Sequence, residues 1–417
     1  MRYILNGNLM GFSKVSLNSF LFTAICICLV VFSINYKLFA FLRLLDLIII
    51  ILFGLFFTLK PKINTNQLII FLLITLVLGV STFFGFLKNG SIELSRLVFI
   101  YKYLFIFLLP LLIVSVVKTE KQVLIVNKLL LINFILLSIW SWMYVYLRSI
   151  NIIEGQPRPS FPALDYSQSD AHLYSSYLGF FLSVYLLYLK NFFNHSLLLT
   201  IFISTNGFLG LIVTGSRTGI LLISMTFLAI GFTVLKNYIK FDYKFNQKII
   251  SKIVIVILIL IFLLFCLYFY HFEFLKNIQY LIFRSLNFNF LNDISTLSRI
   301  SKLMTSIEEI SYTGWLLGNG LKSRLIWYDG IFSMLLAHGG LLLILLLIIF
   351  YSFTIKNIIK CTANKRNSKI LIFLISLYLL SNTITEHIML SRNAFPVLVF
   401  LSTLYVTIKI KNNDNCI

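Results

Sequence analysis

The sequence predicts an all-α, polytopic integral membrane protein with about twelve transmembrane helices and two longer outer loops. Three observations carry that expectation. First, 59% of the 417 residues are hydrophobic and only 12% are charged, with a mean hydropathy of +0.95. A soluble domain carries about 25% charged residues, so this chain lacks the polar surface to cover a globule in water. Second, apolar runs of roughly 20 residues recur from end to end, each sufficient to cross about 30 Å of hydrocarbon as a helix. Lipid offers no partner to open backbone groups, so such runs must be helical. Third, the basic residues gather between alternate runs.

The expected spans are 15–35, 38–59, 67–87, 97–117, 123–147, 173–189, 196–213, 218–235, 253–270, 330–355, 370–385 and 393–408. They form a single multispanning membrane domain over 1–417. Lys+Arg number 35 against 14 Asp+Glu, a net +21. Arg2 and Lys14 precede the first span, Lys60 and Lys62 follow the second, and Lys118, Lys121 and Lys128 follow the fourth. Five lysines between Lys236 and Lys252 follow the eighth span, and the cluster from Lys356 to Lys369 follows the tenth. Every basic cluster thus falls on one side, and the positive-inside rule makes that side, with both termini, cytoplasmic. The short second span is kept because losing it would break this parity.

The outer side differs in kind. Its two long loops are 148–172 and 271–328. The first carries Pro157, Pro159 and Pro162 among acidic residues, and is expected to be extended rather than helical. In the second, Leu297, Ile300, Leu303, Met304 and Ile307 recur at helical spacing, predicting an amphipathic helix over about 296–310 at the membrane surface.

Several classes are excluded or unsupported. The positive charge lies in inner loops rather than on a readable basic motif, so nucleic acid is not an expected partner. No P-loop or dinucleotide fingerprint is present, which argues against ATP-driven transport by this chain. The five cysteines are scattered without zinc-ligand or disulfide spacing. The first apolar run is too long for a signal-peptide core and is expected to stay uncleaved.

Polar residues within or beside spans are costly and therefore informative. Arg43 with Asp46, and Glu93 with Arg96, can pair on one helix face, while Lys102 can snorkel. His338 is expected to pack quietly and His195 to sit at an interface. The segment Thr214-Gly-Ser-Arg-Thr-Gly219 stands out. It joins two spans by a minimal outer turn whose only charge is Arg217. Glycines permit a tight turn, the amides of the next helix start favour an anion, and the guanidinium fork matches phosphate oxygens. The alternative is an arginine that merely reaches lipid headgroups. Ser216 belongs to the same turn, Lys302 and Arg299 to the amphipathic helix, and Arg158 to the first outer loop. Asp329-Gly330 opens the tenth span, and Glu386 and His387 close the eleventh on the same side. Asp329 suits either a helix N-cap or a carboxylate at the mouth of a cavity.

Taken in order, TGSRTG at 214–219, the helix around Arg299, LLGNGL at 316–321 and DGIFSMLLAHGGL at 329–341 resemble the O-antigen polymerase and ligase superfamily. The resemblance covers roughly the second half of the chain. It implies a GT-C-like fold and a metal-independent, lipid-linked glycosyltransferase without cofactors. Its donor and acceptor would be glycans on undecaprenyl diphosphate, handled at the periplasmic face of a bacterial inner membrane. The lipid bilayer, a chain-length regulator and a flippase are the other implied partners. Arg217 and Arg299 look like the family's paired outer arginines for the diphosphate, with Ser216, Lys302 and Arg158 as further substrate candidates. Ligases tend to carry His-Asn, nine residues, then Gly; here Asp329-Gly330 and Gly340 take those places. That departure favours a polymerase, with Asp329 the first and Glu386 the second choice for the catalytic base. The alternatives carried alongside are a ligase, and a lipid-linked oligosaccharide flippase or secondary transporter.

Overall fold

A computed structural model describes residues 14–32, 44–58, 65–89, 105, 108–153, 158–162, 171–240, 277, 279–281, 283, 297, 300, 301, 304, 305, 307, 308, 315–318, 320, 331–360, 365–384 and 391–413. Among the described residues all regular structure is helical. The helices are α1 (Lys14–Val31), α2 (Leu44–Thr58), α3 (Thr65–Asn89), α4 (Glu120–Ser149) and α5 (Ala171–Val184). They continue with α6 (Leu197–Val213), α7 (Arg217–Lys240), α8 (Ile331–Lys360), α9 (Lys365–Ile384) and α10 (Ser391–Asn413). These fall on ten of the expected spans. The fourth overlaps helical residues at 105 and 108–116, and the ninth, 253–270, lies outside the described residues.

Among the described residues three stretches are long and apolar enough to cross a membrane: Ile69–Leu87, Glu120–Ser149 and Met334–Ser352. Shorter apolar helices accompany them, among them Leu44–Thr58 and Leu197–Val213. Large apolar side chains point outward along these helices, such as Leu72, Leu76, Leu136 and Leu198. Such outward apolar faces fit a protein embedded in a membrane.

The chain forms two compact units, Met1–Asn133 with Asn289–Ile417, and Phe134–Phe288. In the first, α1 packs on α2, α8 on α3 and α9, and α10 on α9 and α2. Asp46 is buried on α2, and the Asn133 side-chain amide donates to the Leu29 carbonyl, tying α4 to α1. The paired candidates Arg43, Glu93 and Arg96, and Lys102, lie outside the described residues.

In the second unit the closest packing is between α5 and α7. Its cause is a stripe of small residues, Ser175, Gly179 and Ser183, spaced four apart so that they share one helix face. A Cβ on Gly179 would stand 2.6 Å from the Gly219 carbonyl oxygen, so the two backbones touch there. Further along, Thr226 Oγ1 donates to Ser183 Oγ at 2.8 Å, both buried. Small residues that let backbones approach, joined by hydroxyl hydrogen bonds, are the usual glue between helices in lipid. Gly207 and Gly210 of α6 play the same part against Phe134 and Ser138 of α4. At its far end α5 runs into a π-helical turn, Tyr185–Leu189, and His195 meets the Tyr185 hydroxyl at 3.1 Å.

Candidate functional site

The segment 214–219 forms the tight turn between α6 and α7. Thr214 ends α6 in helical geometry, and Gly215 takes φ +61°, a left-handed conformation that reverses the chain at little cost only for glycine. Thr214 Oγ1 donates to the Leu211 carbonyl at 2.7 Å and accepts from the Ser216 amide at 3.4 Å. Ser175 of α5 clamps the turn from below. Its hydroxyl donates to the Ser216 carbonyl at 3.3 Å and accepts from the Gly219 amide at 3.2 Å. Thr214, Ser216 and Thr218 are therefore buried, whereas Arg217, the first residue of α7, is only half-buried.

These bonds modify the expectation of free amides at the start of α7. The Ser216 and Gly219 N–H groups are already bonded inside the protein, so of this turn's amides those two do not face an anion. The reason is Ser175, an α5 residue whose small side chain fits against the turn.

Residues of both long loops, 148–172 and 271–328, reach this turn. From the first, residues 158–162 are pinned by three contacts. Pro159 is buried, the Trp140 indole N–H donates to the Ser160 carbonyl at 2.9 Å, and Phe161 is inserted edge-on between Tyr174 and Tyr177. Phe161 is 1% exposed, so this segment is folded into the unit rather than trailing over it. The insertion lays the aliphatic stem of Arg158 along Gly215: a Cβ there would lie 3.4 Å from Arg158 Cδ. From the second loop, Leu281 comes within 3.0 Å of the same Cβ position and joins a small core with Tyr144, Val145 and Val213. Trp140, Trp142 and Ile153 pack around that core.

The Arg158 stem thus lies along Gly215, and Arg217 follows two residues later in the same turn. Nearby, Arg148 stands at the end of α4, one turn after Tyr144. The described residues of this unit hold no Asp or Glu at all. The acidic residues of the first long loop, Glu154, Asp165 and Asp170, lie outside the described residues, and the positive end of α7 lies beside Arg217. Such a place attracts anions, and phosphate oxygens match a pair of guanidinium forks.

Of the sequence candidates, Arg158, Ser216 and Arg217 come together here. Asp329, Glu386, Arg299 and Lys302 lie outside the described residues. Around them, residues 297, 300, 301, 304, 305, 307 and 308 are helical. On that helix Leu297, Ile300 and Met304, members of the expected apolar stripe, are exposed. His338 is buried, and among the described residues no group of three or more His, Cys, Asp or Glu could hold a metal ion. Sequence reasoning missed Ser175, Gly179, Phe161 and Leu281. The signal for the first two was the small-residue stripe; for the other two nothing local identified the partner.

Fold and site together define an all-helical, membrane-embedded protein that carries an arginine-bearing polar turn under two long loops. No protein-family model matches the chain, and no curated protein matches it.

Proposed function

We propose that the chain is a polymerase. It joins undecaprenyl-diphosphate-linked oligosaccharide repeat units into O-antigen or a related surface polysaccharide at the outer face of the bacterial inner membrane. The reading takes the chain as twelve spans with both termini cytoplasmic, which puts the Arg158–Arg217 turn on the outer side. Its main support is that turn: Arg217 opens α7 on a frame of buried hydroxyl hydrogen bonds, and the Arg158 stem lies along Gly215. The order of short motifs that resembles the O-antigen polymerases adds to it.

The chemistry follows from charge. The acceptor hydroxyl oxygen attacks the anomeric carbon of the donor glycan. The bond from that carbon to the phosphate oxygen breaks, and undecaprenyl diphosphate departs with the electron pair. Negative charge grows on the leaving diphosphate, and fixed guanidinium groups stabilise it without reorganising. Arg217 and Arg158, with Arg299 as a third donor, are assigned to that role. The hydroxyl proton passes to a carboxylate, for which Asp329 is the first assignment and Glu386 the second.

The test is reaction of the purified protein with synthetic undecaprenyl-diphosphate repeat units, followed by sizing of the products. A ladder of polymers on the lipid carrier, with release of undecaprenyl diphosphate, is expected. Transfer to a lipopolysaccharide core acceptor without chain growth would make it a ligase. Movement of intact units across vesicles with no new glycosidic bond would make it a carrier.

A further inference from the structure

Helix α8 is interrupted. Gly340 takes φ +63° and ψ −160°, a conformation reserved to glycine, between two helical stretches. At such a break the amides of Leu341 and Leu342 lose their usual acceptors one turn earlier. Here they donate instead to the carbonyls of Trp315 and Leu316, at 2.8 and 3.2 Å. The freed His338 carbonyl accepts from Ser81 Oγ of α3 at 2.6 Å. A turn at 315–318 therefore substitutes for the missing helix bonds.

That turn is wedged between α8 and α3. Gly318 and Gly320 are both left-handed and buried. A Cβ on Gly318 would stand 2.7 Å from the Gly340 nitrogen, and one on Gly320 would stand 2.6 Å from Thr82 Cα. The wedge can be placed in depth from two independent helices. Gly340 lies nine residues, about 14 Å, after the start of α8 at Ile331, and Ser81 lies seven residues, about 10 Å, before Lys88 near the end of α3. Both helices thus put the turn at similar depth, well inside a hydrocarbon layer of about 15 Å per leaflet. At such depth irregular backbone persists only where protein covers its polar groups, and these hydrogen bonds supply that cover. Trp315 and Leu316, however, are 46% and 63% exposed.

We infer that residues 315–318 and Gly320 belong to a re-entrant turn, inserted into the membrane beside the break in α8, with Trp315 and Leu316 in contact with lipid chains. Leu297, Ile300 and Met304, exposed apolar residues that precede it in the chain, are assigned to the same membrane surface. The inference does not depend on the polymerase reading.

Spin labels report this directly. With the five native cysteines replaced, Leu316→Cys would be labelled in the full-length protein reconstituted in phosphatidylglycerol/phosphatidylethanolamine vesicles. Collision rates with oxygen and with a water-soluble nickel chelate would be compared with those of a label at the exposed Lys121. The expected result is strong relaxation by oxygen and at least a fivefold lower nickel accessibility than a water-exposed label shows. Nickel accessibility like that of water-exposed sites would overturn the re-entrant placement, and access by neither reagent would overturn the lipid contact. Should Leu316→Cys fail to fold, fluorescence of Trp315 with Trp140, Trp142 and Trp327 changed to Phe reads the same depth. Quenching by acyl-chain-brominated lipids is expected there, and quenching by aqueous iodide alone would contradict it.

Discussion

At Gly215 a hydrogen in place of a methyl group decides whether Arg158 can reach the turn. The left-handed backbone there costs about 1–2 kcal/mol for a residue with a Cβ. The added carbon would also press on Leu281 and on the Arg158 stem. Gly215→Ala is therefore expected to lower stability by about that amount, read as denaturant midpoint in detergent, and to reduce activity beyond the stability loss by displacing Arg158. Ser175→Ala should cost about 1–3 kcal/mol, because the buried Ser216 carbonyl and Gly219 amide would both lose their partner. Arg158→Ala and Arg217→Ala should instead leave the fold intact and slow glycan transfer by about 10²–10³-fold each. Lysine at either position should restore only part of that, since a point charge cannot grip two phosphate oxygens. At the residue scale the Thr214–Gly219 turn was legible because glycines and hydroxyls interrupt two apolar runs. Its hydrogen-bond state was not, because the group that satisfies the Gly219 amide comes from Ser175, some 44 residues earlier.

Among the elements, the pairing of α5 with α7 holds the turn in place. The stripe of Ser175, Gly179 and Ser183 lets the helices touch, and enlarging its centre should separate them. Gly179→Ala would set a methyl group 2.6 Å from the Gly219 carbonyl. Overpacking of this kind costs about 1–3 kcal/mol, and the thermal midpoint of the purified protein should fall accordingly. Apolar length made most helices readable, since each run is bounded by charges or turn residues. Their neighbours were not readable: a small-residue stripe announces that a helix approaches closely without naming its partner. The break in α8 also escaped, although Gly339-Gly340 lay inside the run. A glycine pair within an apolar span fits a continuous helix equally well, and only the Trp315 and Leu316 carbonyls make the interrupted form favourable.

For the molecule as a whole, charge and hydrophobicity divide the work. The 59% apolar content supplies helices for a membrane, and most of the +21 excess lies in loops expected on the cytoplasmic side. Arg158 and Arg217 are among the basic residues that, in the twelve-span reading, lie opposite that excess. Topology reporters test this arrangement. A periplasm-dependent phosphatase inserted at 155 should be active, and one fused after Lys411 inactive; the reverse pattern would remove the turn from the outer face. The two outer loops looked unrelated in sequence, one rich in proline and the other amphipathic. They meet because Phe161 fills a gap between two tyrosines and Leu281 caps the core at Val213, contacts between side chains far apart in the chain. The measurement that bears most directly on the account is binding of undecaprenyl diphosphate to the protein in lipid nanodiscs, for the wild type, Arg158→Ala, Arg217→Ala and the double variant. Each single change should weaken binding about tenfold to a hundredfold, as expected for lost charge-assisted hydrogen bonds, with non-additive losses in the double variant. Equal affinity in all four proteins would contradict a diphosphate site at this turn.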